Sequence, residues 1–165
     1  TLFRSSLTPL QSLALAVAGR EDAAHRWWRP MGHDLAIAAE CETLLTRFRL
    51  HELADRPTRE LPYGKRRLLE IALAVALKPS VLLLDEPAAG VPAAERQDIL
   101  DTVAALPAEV CVLLIEHDMD LVFSFARRLT VLVNGAVLTE GTPAQIAADP
   151  QVKAVYLGDM SIAHG

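Results

Sequence analysis

Two carboxylates and a histidine stand just beyond two apolar runs of this chain. Asp85 and Glu86 directly follow the run at 81–84, and His117 comes shortly after the run at 110–115. Short, continuous apolar runs are typical of parallel strands that are covered on both faces of the sheet, and ligands bind beyond the carboxyl ends of such strands. We therefore expect the three side chains at one edge of a sheet.

The two adjacent carboxylates suit different tasks, because neighbouring side chains on a strand point to opposite faces. Asp85 can hold a hydrated Mg²⁺, and Glu86, just past the strand, can polarise a water as general base. His117 can donate a hydrogen bond to a phosphate oxygen on which charge develops. The alternatives are an acidic loop cap with a structural histidine, or a metal-dependent enzyme that needs no nucleotide.

A glycine followed by three cations opens another segment. Gly64, Lys65, Arg66 and Arg67 precede a strongly apolar stretch that ends at Leu77, which predicts a helix buried on most sides. A helix N-terminus binds anions, because its first N–H groups are unpaired and the helix dipole is positive there. Cations at this end disfavour the helix itself, so the cluster indicates a bound anion. A solvated basic turn is the alternative.

The bulk composition indicates a globular protein. The 165 residues are 52% hydrophobic and 22% charged, with a net charge of −5 and no long run of one sign. The charge gives no support for nucleic-acid binding, and no apolar stretch is long enough to span a bilayer. Cys41 and Cys111 lie in apolar periodic segments, where we expect buried thiols in a reducing compartment.

The segment before residue 61 is predicted to be helical. Thr8 as N-cap, Pro9 at the first helical position and Gln11 closing a capping box favour a folded helix over a secretory signal. A second helix is predicted from 34 to 48, and a polar connector follows. The predicted apolar face of this helix contains Leu35, Ala38, Cys41, Leu45 and Phe48. The intervening Trp27-Trp28 pair either packs on its own subdomain or docks a partner.

From residue 61 onward the pattern is α/β. Apolar runs and helical periodicity alternate, which is typical of a parallel sheet with right-handed crossovers. Asn134-Gly135 favours a type I′ hairpin turn. The predicted elements are helices at 64–77, 93–106 and 119–128, strands at 81–84 and 110–115, a hairpin at 130–139, and short helices at 144–148 and 152–156.

Taken together, these segments resemble the ATPase subunit of an ATP-binding-cassette (ABC) transporter. Residues 61–67 match the family's signature motif, residues 81–87 its Walker B strand with the catalytic glutamate, and His117 its switch histidine. Ala89 and Gly90 fall in its D-loop. The residues in and around these motifs are most similar to those of the branched-chain amino acid import subfamily. The lipopolysaccharide-export ATPase shares several of the same features and is the main alternative.

The resemblance implies the C-terminal part of a P-loop NTPase with parallel core strands, a mostly helical subdomain and a C-terminal hairpin with short helices. Residues 1–60 would form the helical subdomain, 61–142 the signature helix and the C-terminal half of the ATPase core, and 143–165 the last helices and tail. No Gly-x-x-x-x-Gly-Lys-[Ser/Thr] loop, the family's Walker A motif, occurs in the sequence. Because the Q-loop is also missing, we expect a fragment that is inactive alone.

The implied function is ATP hydrolysis coupled to transport of a small solute, with branched-chain amino acids favoured. The alternatives are a lipopolysaccharide-export-type or other ABC ATPase, or a non-catalytic docking module. The implied catalytic residues are Glu86 and His117. The implied binding residues are Asp85 for Mg²⁺ through water, Pro62, Tyr63, Gly64 and Lys65 for the partner's ATP phosphate, and Ala89 and Gly90 in the D-loop.

The same resemblance implies ATP and Mg²⁺ as cofactors of the complete protein. The implied partners are a second ATPase subunit arranged head to tail and transmembrane permease subunits, with no nucleic acid, at the cytoplasmic face of a bacterial plasma membrane. Two positions depart from the family pattern. Pro62 replaces the usual signature serine, and Pro92 stands where the D-loop has Asp or Asn, so neither side chain can make the family's hydrogen bond.

Overall fold

The computed structural model describes residues 6–20 and 35–160. The predicted Trp27-Trp28 loop lies outside the described residues. The chain divides into two compact units, Thr1–Ile115 and Glu116–Gly165. The first unit contains helices α1 (Pro9–Arg20), α2 (Leu35–Arg47), α3 (Tyr63–Ala76) and α4 (Ala93–Ala104), strands β1 (Val81–Asp85) and β2 (Cys111–Ile115), and short 3-10 helices at His51–Leu53 and Thr58–Glu60.

The predicted start of α1 is confirmed. The Gln11 backbone N–H donates to Thr8 Oγ1 at 3.3 Å, and the Thr8 N–H donates to Gln11 Oε1 at 3.1 Å. This reciprocal pair satisfies N–H groups that have no partner inside the helix.

Helices α1, α2 and α3 pack together into a helical layer. The predicted face of α2 is partly wrong, because Leu35 is 85% exposed whereas Ile37 is buried. The buried stripe begins at Ile37 and continues through Cys41 to Phe48, and Leu35 lies off this stripe. Burial also raises the pKa of the Cys41 thiol, which keeps it protonated.

An ion pair closes one end of this layer. Arg20 at the end of α1 donates to both carboxylate oxygens of Glu40, each at 2.7 Å, and to the Ala76 carbonyl at the end of α3. The hydrogen bond from Arg20 holds the pKa of the Glu40 carboxyl below its ordinary value. A single guanidinium therefore joins three helices, and it satisfies a carbonyl that has no partner within its own helix.

Strands β1 and β2 form the predicted parallel pair, in register from Val81↔Cys111 to Asp85↔Ile115. The expectation that both faces would be covered is wrong for the described residues. Leu82 is buried, but Val81 and Leu83 on the opposite face are 53% and 68% exposed. Cys111, expected to be buried, is exposed on the paired strand.

The second unit contains α5 (Met119–Phe125), strands β3 (Leu129–Val133) and β4 (Ala136–Gly141), and helices α6 (Pro143–Ala148) and α7 (Pro150–Met160). The strands form the predicted hairpin, and Asn134 and Gly135 both have positive φ, 51° and 79°, as a type I′ turn requires. Its small core contains Val131, Ile146 and Val152. No described helix of either unit has the length and apolar character of a membrane span.

Candidate functional site

The carboxylate pair occupies the end of β1, and the backbone separates its two members. Asp85 is the last strand residue and is exposed, opposite Ile115 in the register. Glu86 extends the pairing by one bond, since its N–H donates to the Ile115 carbonyl at 2.9 Å. Its φ of 43° then turns the chain out of the strand. A non-glycine residue with positive φ is uncommon, so this turn is a distinctive feature of the site.

The segment after Glu86 folds into two consecutive turns. The Ala89 N–H donates to the Glu86 carbonyl at 3.1 Å, and the Val91 N–H donates to the Ala88 carbonyl at 3.2 Å. Gly90 has a φ of 70°, which a residue with a Cβ rarely adopts. Ala88 and Val91 are buried, so the turns are anchored to the core and the peptide units between them are held in place.

The glycine that begins the basic segment lies in the first turn of α3. Pro62 is the N-cap and has no side-chain capping hydrogen bond, so N–H groups of the first turn remain available as donors. Gly64 is buried, and a Cβ added there would overlap the Glu95 carboxylate of α4. The position therefore requires glycine unless the Glu95 side chain moves.

The start of α3 and the turns after β1 contact each other. A Cβ built on Gly90 would lie 3.6 Å from Cε1 of the Tyr63 ring. One helical turn further along, Arg67 Nη2 donates to the Glu86 carbonyl at 3.1 Å. The structure thus brings together the residues predicted for the signature motif and those predicted for the Walker B edge and D-loop.

Protein groups provide partners for the three cations of the basic segment. Lys65 Nζ lies 3.4 Å from the Arg49 carbonyl oxygen, and Arg66 Nε donates to the Leu61 carbonyl at 3.1 Å. Arg67 pairs with Glu70 at 2.7 Å. Because these three side chains already have protein partners, the first N–H groups of α3 are the better candidates for anion donors.

His117 belongs to the second unit, where it lies between β2 and α5 and is exposed. The neighbouring Asp118 caps α5, since its Oδ1 accepts from the Leu121 N–H at 3.3 Å. The capping bond fixes the start of α5 directly after His117. The structure thus shows where His117 and Asp118 lie, but it assigns no chemical role to His117.

The described residues include no group of three or more His, Cys, Asp or Glu side chains that could hold a metal ion. A cation at Asp85 would thus have few protein ligands. Mg²⁺ commonly keeps several waters and binds through one or two carboxylates together with phosphates. The exposed carboxylate of Asp85 at the strand end fits this kind of binding.

Sequence reasoning missed two residues at this site, Arg67 as a partner of the Glu86 carbonyl and Glu95 as a neighbour of Gly64. The i,i+3 spacing of Arg67 and Glu70 predicts their ion pair, but it does not predict the contact of Arg67 with Glu86. No local pattern connects Glu95 with Gly64, because the two residues lie on separate helices.

Two protein-family models match parts of this chain. The family model described as "ABC transporter" matches residues 5–89, just over half of the chain. A second model, "Branched-chain amino acid ATP-binding cassette transporter", matches residues 136–160. These matches confirm the resemblance that the sequence motifs indicated.

Curated relatives match most of the chain. The high-affinity branched-chain amino acid transport ATP-binding protein BraF of Pseudomonas aeruginosa is 46% identical over 112 residues, covering 67% of this chain and 44% of BraF. The lipopolysaccharide export system ATP-binding protein LptB of Acidithiobacillus ferridurans is 40% identical over 119 residues, covering 72% and 49%. The chain thus spans about half the length of the curated relatives it matches.

A solved structure agrees with the fold. The ADP conformation of MJ1267, described as an ATP-binding cassette of an ABC transporter, superposes with a TM-score of 0.72 at 28% identity. The superposition covers 93% of this chain and 64% of that one. Together with the parallel β1–β2 pair, it confirms the expected α/β fold class.

Proposed function

Because the chain belongs to the ABC transporter family, we propose that it provides the signature helix and the Walker B edge of a transport ATPase subunit. The observation that carries the proposal is the packing of α3 against the turns after β1. The Tyr63 ring lies next to Gly90, and Arg67 donates a hydrogen bond to the carbonyl of Glu86. The residues proposed for phosphate contact and for water activation therefore lie on two elements that contact each other.

In this proposal Glu86 is the general base that polarises the attacking water, and Asp85 holds Mg²⁺ through water. ATP supplies the phosphoanhydride bond, and Mg²⁺ neutralises charge on the phosphates. A Walker A loop is needed to cradle the phosphates, and the present residues contain none. We therefore expect these 165 residues alone to bind ATP weakly and to turn it over negligibly.

The proposed signature site is the start of α3, from Pro62 to Lys65. Its available N–H groups and helix dipole favour a phosphate of the nucleotide bound by a second subunit. The Glu95 carboxylate occupies the space beside Gly64 and would repel that phosphate. Its long side chain must swing aside when the phosphate binds.

The remaining site residues complete a two-subunit arrangement. We propose that His117 donates a hydrogen bond to the terminal phosphate of ATP. We also propose that Ala89 and Gly90 face the second subunit. Pro92 cannot supply the hydrogen bond that the usual D-loop side chain makes. Residues 1–60 are proposed to dock transmembrane permease subunits at the cytoplasmic face of the membrane, and 143–165 to form the tail after the ATPase core.

Branched-chain amino acids are the proposed transported solutes. The model for branched-chain amino acid cassettes matches the C-terminal segment at 136–160, and BraF is named for the same solutes. Lipopolysaccharide export is the second candidate, because LptB is 40% identical to this chain. Uptake of labelled leucine by cells that carry or lack the encoding gene distinguishes the two.

The ATPase proposal is tested with the complete protein that contains this chain. Glu86→Gln should lower kcat by about 10²-fold or more, because the amide cannot accept the proton of water. Asp101→Asn is the matched control, since it neutralises an exposed carboxylate of α4. Unchanged turnover in Glu86→Gln would refute the general-base role. A complete wild-type protein that binds permease subunits but hydrolyses no ATP would favour the docking module.

A further inference from the structure

The backbone of Glu86 is held from two sides. On one side its N–H donates to the Ile115 carbonyl of β2 at 2.9 Å. On the other, its carbonyl accepts from Arg67 Nη2 of α3 at 3.1 Å, in addition to the turn hydrogen bond from the Ala89 N–H. Elements distant in sequence therefore fix both polar groups of one peptide residue.

This fixation matters because Glu86 adopts an unfavourable conformation. Its φ of 43° is in the left-handed region, where a side chain crowds its own backbone. Such a residue persists only where the surrounding structure holds it, and the direction of its side chain depends on that hold. Removing one support should let the backbone relax and move the carboxylate.

Arg67 is itself oriented for this task. Its Nη1 pairs with Glu70 Oε2 at 2.7 Å, one helical turn along α3, while Nη2 remains directed at the Glu86 carbonyl. A planar guanidinium can hold both partners in a fixed geometry, whereas a lysine ammonium on a flexible stem has no such fork. Glu70, Arg67 and the Glu86 carbonyl thus form a chain from the signature helix to the proposed base.

Building on the function proposed above, we propose that Arg67 is a positioning residue for Glu86, oriented by Glu70. It holds the left-handed turn that aims the carboxylate at the attacking water. Because Arg67 lies one turn after Gly64, it also couples the proposed phosphate-binding end of α3 to the proposed base. A shift of α3 would be transmitted to Glu86 through one hydrogen bond.

The first experiment measures steady-state ATP hydrolysis by the complete protein carrying Arg67→Met. We expect kcat to fall about 10-fold or more, because small misplacements of a catalytic group are costly, while KM for ATP stays within about twofold. Arg67→Lys should lose nearly as much, and Glu70→Gln should lose less. Arg59→Met is the control, since it removes an exposed guanidinium that has no contact with this turn. Unchanged kcat in Arg67→Met with an active wild type would overturn the inference.

A double variant separates positioning from a general loss of structure. In a Glu86→Gln background, Arg67→Met should cause no further loss of kcat, because the group through which it acts is already disabled. A further loss equal to that seen in the wild-type background would overturn the positioning role. A wild type without ATPase activity would instead refute the proposed function, so the two failures remain distinct.

Hydrogen exchange gives a readout that does not depend on turnover. The Ala89 amide, whose acceptor is the Glu86 carbonyl, should exchange faster in Arg67→Met than in wild type, while amides of α1 stay unchanged. Equal protection of Ala89 in both proteins would show that the turn does not need Arg67. Faster exchange throughout the first unit would indicate unfolding, in which case Glu70→Gln must reproduce the local change or the inference fails.

Discussion

The helical layer and the strand pair of the first unit bury their apolar residues to very different extents. In the layer of α1, α2 and α3, Leu13 and Val17 are fully buried, as is Phe48 directly after α2. In the β1–β2 pair, Leu82 and Leu84 of β1 are buried. Val81 and Leu83 on the opposite face remain more than half exposed, beside Leu113 and Ile115 of the neighbouring strand. The described helices complete their own core, whereas the described strands leave an apolar face uncovered.

The candidate site shows the same contrast between the buried helices and the exposed strand pair. The contacts of Gly64 and Arg67 are made within the first unit, so the start of α3 is fixed by this chain. Asp85, by contrast, ends a strand on its exposed side. Under the proposed function, the contacts at the start of α3 serve positioning, and the exposed Asp85 carboxylate is suited to groups that other parts of the ATPase contribute.

The largest expected effect tests the contrast in burial directly. Phe48→Ala should lower the free energy of unfolding by about 3–5 kcal/mol, because it leaves a cavity in the helical layer. Leu83→Ala, on the exposed face of β1, should change it by less than about 0.5 kcal/mol. Urea denaturation followed by circular dichroism measures both, at a protein concentration too low for the chain to self-associate. Similar losses for the two variants would mean that the exposed face is covered in solution.

The second prediction concerns the ion pair that joins the helices of the layer. Arg20→Met should cost about 1–3 kcal/mol, since it leaves the Glu40 carboxylate and the Ala76 carbonyl without this donor. Arg59→Met, in an exposed pair, should cost less than about 1 kcal/mol. Thermal unfolding at neutral pH compares them, and equal costs would contradict the structural role of Arg20.

The pair also predicts a pH dependence. Because the Glu40 pKa is lowered in the folded state, its contribution to stability is present above the unfolded value, near 4.5, and is lost as the pH falls through the folded value. Arg20→Met should therefore flatten the decline of stability below that pH. An acid dependence identical to that of the wild type would show that Glu40 is not the group responsible.

The third prediction addresses the uncovered face and the unpaired outer edges of β1 and β2 within the described residues. Exposed apolar strands associate with other chains, so we expect the 165-residue chain to self-associate. Leu83→Thr should reduce the mass measured by light scattering while changing stability little. Leu132→Thr, an exposed leucine of the hairpin, is the control. A monomeric wild-type chain would refute this expectation.

Local chemistry explains which features the sequence predicted. The capping box at Thr8, the hairpin turn at Asn134-Gly135 and the parallel strand pair depend on short patterns, and all three are confirmed. The exposed position of Leu35 and the contact between Arg67 and Glu86 depend on how separate elements pack. Periodicity shows that a stripe exists but does not determine which neighbour covers each residue.

The smallest predicted effect compares two helical glycines. Gly19→Ala in α1 should stabilise the chain by about 0.5–1 kcal/mol, because alanine favours the helix and the added Cβ meets no atom of the described residues within 4 Å. Gly64→Ala in α3 has the same intrinsic gain, but its Cβ must displace the Glu95 carboxylate. We expect it to stabilise less than Gly19→Ala, or to destabilise. Equal gains in thermal unfolding would show that Glu95 moves freely, and that a phosphate at the start of α3 would meet no resistance from it.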